Sequence, residues 1–135
     1  MRNYKKIKSL PQVPENISKK IFSDGFITGS YAWGYSSPFD IDIVLPPGFN
    51  KNMVATYGYC SLVDWLRRRI LRFDFSTIYV LIDNKIHHLL FVKNQDVFDR
   101  WYEANQKMNN IVNKNREYFS NKTNRVLFFR WLRTF

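Results

Sequence analysis

The stretch that most constrains this chain is Phe26 to Leu45, FITGSYAWGYSSPFDIDIVL. An apolar run breaks at Gly29-Ser30, passes a second glycine at Gly34, and resumes as an apolar run whose only charges are Asp40 and Asp42. Side chains alternate along a strand, so the two aspartates point to one face while Ile41 and Ile43 point to the other. Two carboxylates on one face repel, and Phe39, Ile43, Val44 and Leu45 around them partly strip their water. Such a pair calls for a compensating cation. All-oxygen ligation suits a hard divalent ion such as Mg²⁺.

The glycines and proline around this unit set its limits. Phe26 to Thr28 is a short buried strand that delivers Gly29-Ser30 to its end, and Ser30 to Tyr35 is a short helix or turn. Phe39 to Leu45 is the strand with the aspartates, stopped by Pro46, Pro47 and Gly48. Gly-Ser, nine residues, then Asp-hydrophobic-Asp resembles the signature of the DNA polymerase beta-like nucleotidyltransferases, in particular their small stand-alone members. Gly34 falls where those members have a second glycine, whereas Phe39 replaces the serine that commonly precedes the first aspartate. The match is firm over Gly29 to Leu45 and loose from Phe26 to Ser76.

The resemblance implies transfer of a nucleoside monophosphate from a nucleoside triphosphate to a hydroxyl, with release of pyrophosphate. It assigns nucleotide binding to Gly29 and Ser30, and Mg²⁺ (or Mn²⁺) binding and catalysis to Asp40 and Asp42. The family also has a third acidic residue on a neighbouring strand. Asp74, in Phe73-Asp74-Phe75, matches that context. On the other reading the following strand carries the position, and the chain offers His87 or His88 there. Histidine is a poor Mg²⁺ ligand, so that version implies altered or absent activity.

Charge is the second bounding fact. Lys and Arg number 21 against 11 Asp and Glu, a net charge of +10. That favours an anionic partner, here a nucleoside triphosphate with an RNA or protein acceptor, although a solvated surface is the plain alternative. Arg67, Arg68, Arg130 and Arg133 are the candidate acceptor contacts, with Arg125 beside the last two; the dipole at a helix end also accounts for the first pair. Two rival functions remain open: a degenerate nucleotidyltransferase that binds without turnover, and a small basic nucleic-acid-binding protein in which the motif is accidental.

The rest of the chain reads as one domain, residues 1–135, of α/β (α+β) class: a small mixed sheet with flanking helices and a two-helix C-terminal extension over 95–135. The sheet strands are 26–28, 39–45, 72–82 and 86–92, the last two a hairpin, and the strands bearing Asp42 and Asp74 are expected to be neighbours. Residues 1–12 carry Arg2, Lys5, Lys6 and Lys8 without an acid and read as a mobile basic arm. Pro14 to Asp24 reads as the first helix, with Pro14 at its start and Gly25 as the stop. Ser61 and Asp64 begin another helix in a capping-box pattern. Val97, Trp101, Ala104, Met108 and Ile111 recur at helical spacing, a core face rather than a dimer seam. A final helix spans Thr123 to Leu132, with Val126, Leu127, Phe128, Trp131 and Leu132 apolar. No apolar run approaches a membrane span, and the basic start lacks the apolar core of a secretory signal. Cys60 is alone, which excludes an internal disulfide and fits a reducing cytoplasm; it reads as a small buried residue.

Overall fold

The computed structural model describes residues 4–35, 40–60, 66 and 75–134. Its centre is a mixed sheet of four strands among these residues: β1 (Phe26–Thr28), β2 (Asp40–Leu45), β3 (Phe75–Ile82) and β4 (Lys85–Val92), in the order β1-β2-β4-β3. β1 is antiparallel to β2, β2 parallel to β4, and β4 antiparallel to β3. The α/β class and the four strand positions agree with the sequence, and their order adds what periodicity does not carry. The β3–β4 hairpin turns at Asp83 and Asn84, both at positive φ (52° and 62°), which is the two-residue turn that matches strand twist and favours Asp and Asn.

The expected neighbourhood of the strands bearing Asp42 and Asp74 is corrected here. β4, not β3, lies beside β2. From Ile86 to Val92 every residue of β4 is buried, on both faces, as befits a central strand; β3 opens with half-buried residues, as an edge strand does. Only one strand of a hairpin can take the place next to β2; here β4 takes it and β3 becomes the edge.

Helices cover both faces. α2 (Glu15–Asp24) and α4 (Asn52–Ala55) lie on one, where Ile21 and Val54 pack with Ile43, Leu45, Val80, Leu89 and Phe91. α5 (Gln95–Lys114) and α6 (Lys122–Thr134) lie on the other, where Trp101, Met108, Val112 and Phe129 pack with Val44, Leu90 and Val92. The side chain of Asn94 caps α5 by accepting from the Val97 N–H at 3.0 Å. The helical stripe read from the sequence is therefore core, as expected.

Two expectations change. The basic N-terminal stretch is not an arm over its described part: Tyr4–Lys8 forms α1, and Ile7, fully buried, packs on Tyr79, Leu81 and Ile86. Ile7, with Tyr4 and Leu10 partly buried beside it, docks this turn on the sheet. Cys60 is exposed rather than buried. In α6 the buried residues are Arg125 and Phe129, while Val126, Leu127 and Trp131 are exposed. The helix expected to begin at Ser61 falls outside the described residues, apart from Leu66, which is helical. Among the described residues no helix is long and apolar enough to cross a membrane.

Candidate functional site

Strand register builds the site. Thr28 pairs with Asp42, Asp42 with His88, and His88 with Tyr79, so one polar row crosses all four strands on a single face. The next row holds Asp40, Ile86 and Leu81. Asp40 and Asp42 thus share a face, as alternation requires. Asp40 is buried, and the Asp42 side chain is one-third exposed.

His88 Nδ1 lies 3.2 Å from Asp42 Oδ1. A carboxylate only accepts, so Nδ1 carries the proton and donates. The imidazole stacks on Tyr79, with ring centroids 4.2 Å apart and planes 5° from parallel. Its Nε2 is buried and has no hydrogen-bond partner among the described residues. His87 points to the opposite face, as two successive strand residues must. There its Nδ1–H donates to the Lys85 carbonyl at 2.8 Å, its ring meets Phe22 edge-on, and burial lowers its pKa.

The turn after β1 closes over the carboxylates. Gly29 sits at φ +79°, and a methyl group there would overlap Asp42 Oδ2, so glycine is required by conformation and by space. Ser30 follows in the single turn α3 (Gly29–Ala32), and its Oγ accepts from Arg125 Nη2 at 3.0 Å and Nε at 3.3 Å. Gly34, at φ +83°, gives room to Arg116, whose Nη2 would stand 2.6 Å from a Cβ. Asn105 of α5 ties the turn to the sheet: its Oδ1 accepts from Thr28 Oγ1 and Trp33 Nε1 at 2.9 and 2.8 Å, and its Nδ2 donates to the Ile27 carbonyl at 3.0 Å.

Gly29, Ser30, Asp40 and Asp42 are therefore brought together. Asp74, Arg67 and Arg68 lie outside the described residues; Phe75, which follows Asp74, pairs with Val92 on the far side of β4 from Asp42. Arg130 is exposed on α6, and the Arg133 guanidinium stacks 3.8 Å over the Trp101 ring. Arg125 and Asn105 are the residues with the largest part in this geometry that the motif does not name. Asn105 could have been flagged as a polar residue inside an apolar helical stripe.

Two carboxylates on one face offer oxygen donors of the kind a hard divalent ion takes. Among the described residues, however, no group of three or more His, Cys, Asp or Glu is placed to hold a metal ion. A shallow hollow of about 380 Å³ lies at the other end of β2, lined by Pro46, Pro47, Lys51 and Phe91, and does not include the aspartates. No known family profile, no curated protein and no solved structure matches this chain.

Proposed function

We propose that the chain is a nucleotidyltransferase-type domain. It takes a nucleoside triphosphate at the Gly29–Ser30 turn and moves the nucleoside monophosphate to a hydroxyl of an RNA or protein acceptor. The new bond joins the acceptor oxygen to the α-phosphorus, the α–β bridge breaks, and pyrophosphate leaves. The observation that carries this reading is the seating of Gly29 directly against the Asp42 carboxylate, which sets a tight glycine turn beside the acidic pair.

The residues have separable roles in this reading. The bare Gly29 backbone lets phosphate oxygens approach closely. The Ser30 hydroxyl accepts from Arg125, which leaves its own proton to donate to a phosphate oxygen. Asp40 and Asp42 would hold Mg²⁺ or Mn²⁺, which when bound neutralises phosphate charge and acidifies the attacking hydroxyl. Asp74 is not assigned to this ion, because its neighbour Phe75 pairs with Val92, beyond β4 from Asp42.

One observation favours a second reading. The strand beside Asp42 presents His88, not a carboxylate, and His88 already engages Asp42 Oδ1. On this reading the same site binds a nucleotide without turnover.

The test incubates the pure protein with each triphosphate, Mn²⁺ and RNA or lysate protein, and measures both pyrophosphate release and melting temperature. Transfer predicts pyrophosphate with a labelled acceptor, and both are lost in Asp42→Asn while the metal-free protein melts at or slightly above the wild-type temperature. Stabilisation by triphosphate without pyrophosphate selects the second reading. If neither metal nor triphosphate shifts the wild-type melting curve, both readings fall.

A further inference from the structure

The Gly29–Tyr35 turn gathers two guanidinium groups whose charge nothing among the described residues cancels. Arg125 is only 7% exposed. Its Nη1 donates to the carbonyls of Phe119 and Ser120 at 2.7 and 3.0 Å, and its Nε and Nη2 converge on Ser30 Oγ. Arg116 donates from Nη1 to the Trp33 carbonyl at 2.9 Å and is otherwise exposed. The two guanidinium carbons lie 4.4 Å (Arg125) and 4.7 Å (Arg116) from the centroid of the same ring, Tyr35. Among the described residues no carboxylate forms an ion pair with either arginine.

Neutral oxygens and a ring face orient these cations but leave their charge uncompensated. Two like charges sharing one ring repel, and desolvation by burial already pushes the Arg125 pKa below the ordinary guanidinium value. Buried charges are normally paired, because an unpaired one forfeits hydration without return. The planar guanidinium fork matches phosphate oxygens, and the bonds recorded leave one Nη2 proton of Arg125 over. Asp42 lies against Gly29 and Arg125 against Ser30, so the turn has an acidic flank and a basic flank one residue apart.

We propose that Arg125 and Arg116, with the Ser30 hydroxyl, form an anion seat for the polyphosphate tail of a nucleoside triphosphate. The proposal deepens the nucleotide reading of this turn and rests on it for the class of ligand. Occupation by phosphate neutralises the arginine pair and takes up the spare N–H and O–H donors.

The probe is inorganic tripolyphosphate, which has no nucleoside and cannot undergo transfer, so failure of the seat is distinguishable from failure of the transfer reaction. Melting temperature is followed against tripolyphosphate at constant ionic strength for wild type, Arg125→Gln, Arg116→Gln and Lys19→Gln, the last an exposed cation on α2. The expected result is saturable stabilisation of the wild type, about tenfold weaker in Arg116→Gln and in Arg125→Gln, as loss of a charge-assisted hydrogen bond predicts. Lys19→Gln, which removes one positive charge away from the turn, keeps wild-type affinity. A purely structural role for Arg125 would lower the starting melting temperature and leave the affinity of the folded protein unchanged. Should Arg125→Gln fail to fold, Arg116→Gln carries the test, because it leaves the Arg125–Ser30 bonds in place. Equal stabilisation of all four proteins, or none of the wild type, overturns the proposal.

Discussion

His87 and His88 are adjacent in sequence and opposite in situation, which separates a structural imidazole from one at the site. His87 is buried with its Nδ1–H on the Lys85 carbonyl, and desolvation lowers its pKa from the ordinary 6.5. The folded state therefore binds fewer protons at this position than the unfolded state when the pH lies between the folded value and 6.5. Its contribution to stability is fully present above 6.5 and is lost as pH falls through the folded value. Urea denaturation from pH 7.5 to 5 should show stability falling with acidity, with a shallower fall in His87→Phe. Equal slopes in the two proteins would assign the acid sensitivity to other groups. At residue resolution the sequence was most legible where geometry is forced: Asp40 and Asp42 on one face, His87 and His88 on two. It was least legible at Arg125, since burial of an arginine depends on what the fold sets above it.

The elements show the same division. α5 was readable because its apolar stripe follows the helical period, and Asn94 caps it. Strand existence was readable, but strand adjacency was not: β3 and β4 are both apolar enough to sit beside β2, and the choice is made by burial on two faces. Within α5, Asn105 breaks the stripe and accepts from both Thr28 and Trp33 while donating to Ile27. Asn105→Leu would leave the buried Thr28 hydroxyl and Trp33 N–H without this acceptor, a cost of about 2–4 kcal/mol at ~1–3 kcal/mol per orphaned group with partial relaxation. Chemical denaturation should read this as a lower midpoint at unchanged slope. A loss below about 0.5 kcal/mol, the range of ordinary surface changes, would show that the turn is fixed by other contacts.

Over the whole molecule, the net charge of +10 is not one undifferentiated field. Arg133 is stacked on Trp101 and Arg125 is bonded to Ser30, whereas Arg130 is exposed. Binding of single-stranded RNA, measured against salt, should lose about 0.7 from its log–log slope in Arg130→Ser if that residue meets one phosphate. Arg133→Ser should instead lower the melting temperature by removing a cation–π contact, with the slope retained. Identical slopes in wild type and Arg130→Ser would return Arg130 to the solvated surface.

The polar row from Thr28 through Asp42 and His88 to Tyr79 has a consequence for how the molecule comes apart. On that face it lies between two separate apolar groups, one around Ile7, Leu81 and Ile86 and one around Trp101, Met108 and Leu90. A hydrophobic core that is continuous opens all at once, whereas a seam of carboxylate and imidazole divides it into units of unequal size. The smaller unit rests on the single turn of α1, and its amides are expected to exchange with solvent faster than those of α5 in native-state hydrogen exchange; equal protection of the two would show that they open together. On that expectation the carboxylates sit on the boundary between a part of the protein that opens locally and a part that opens only with the whole.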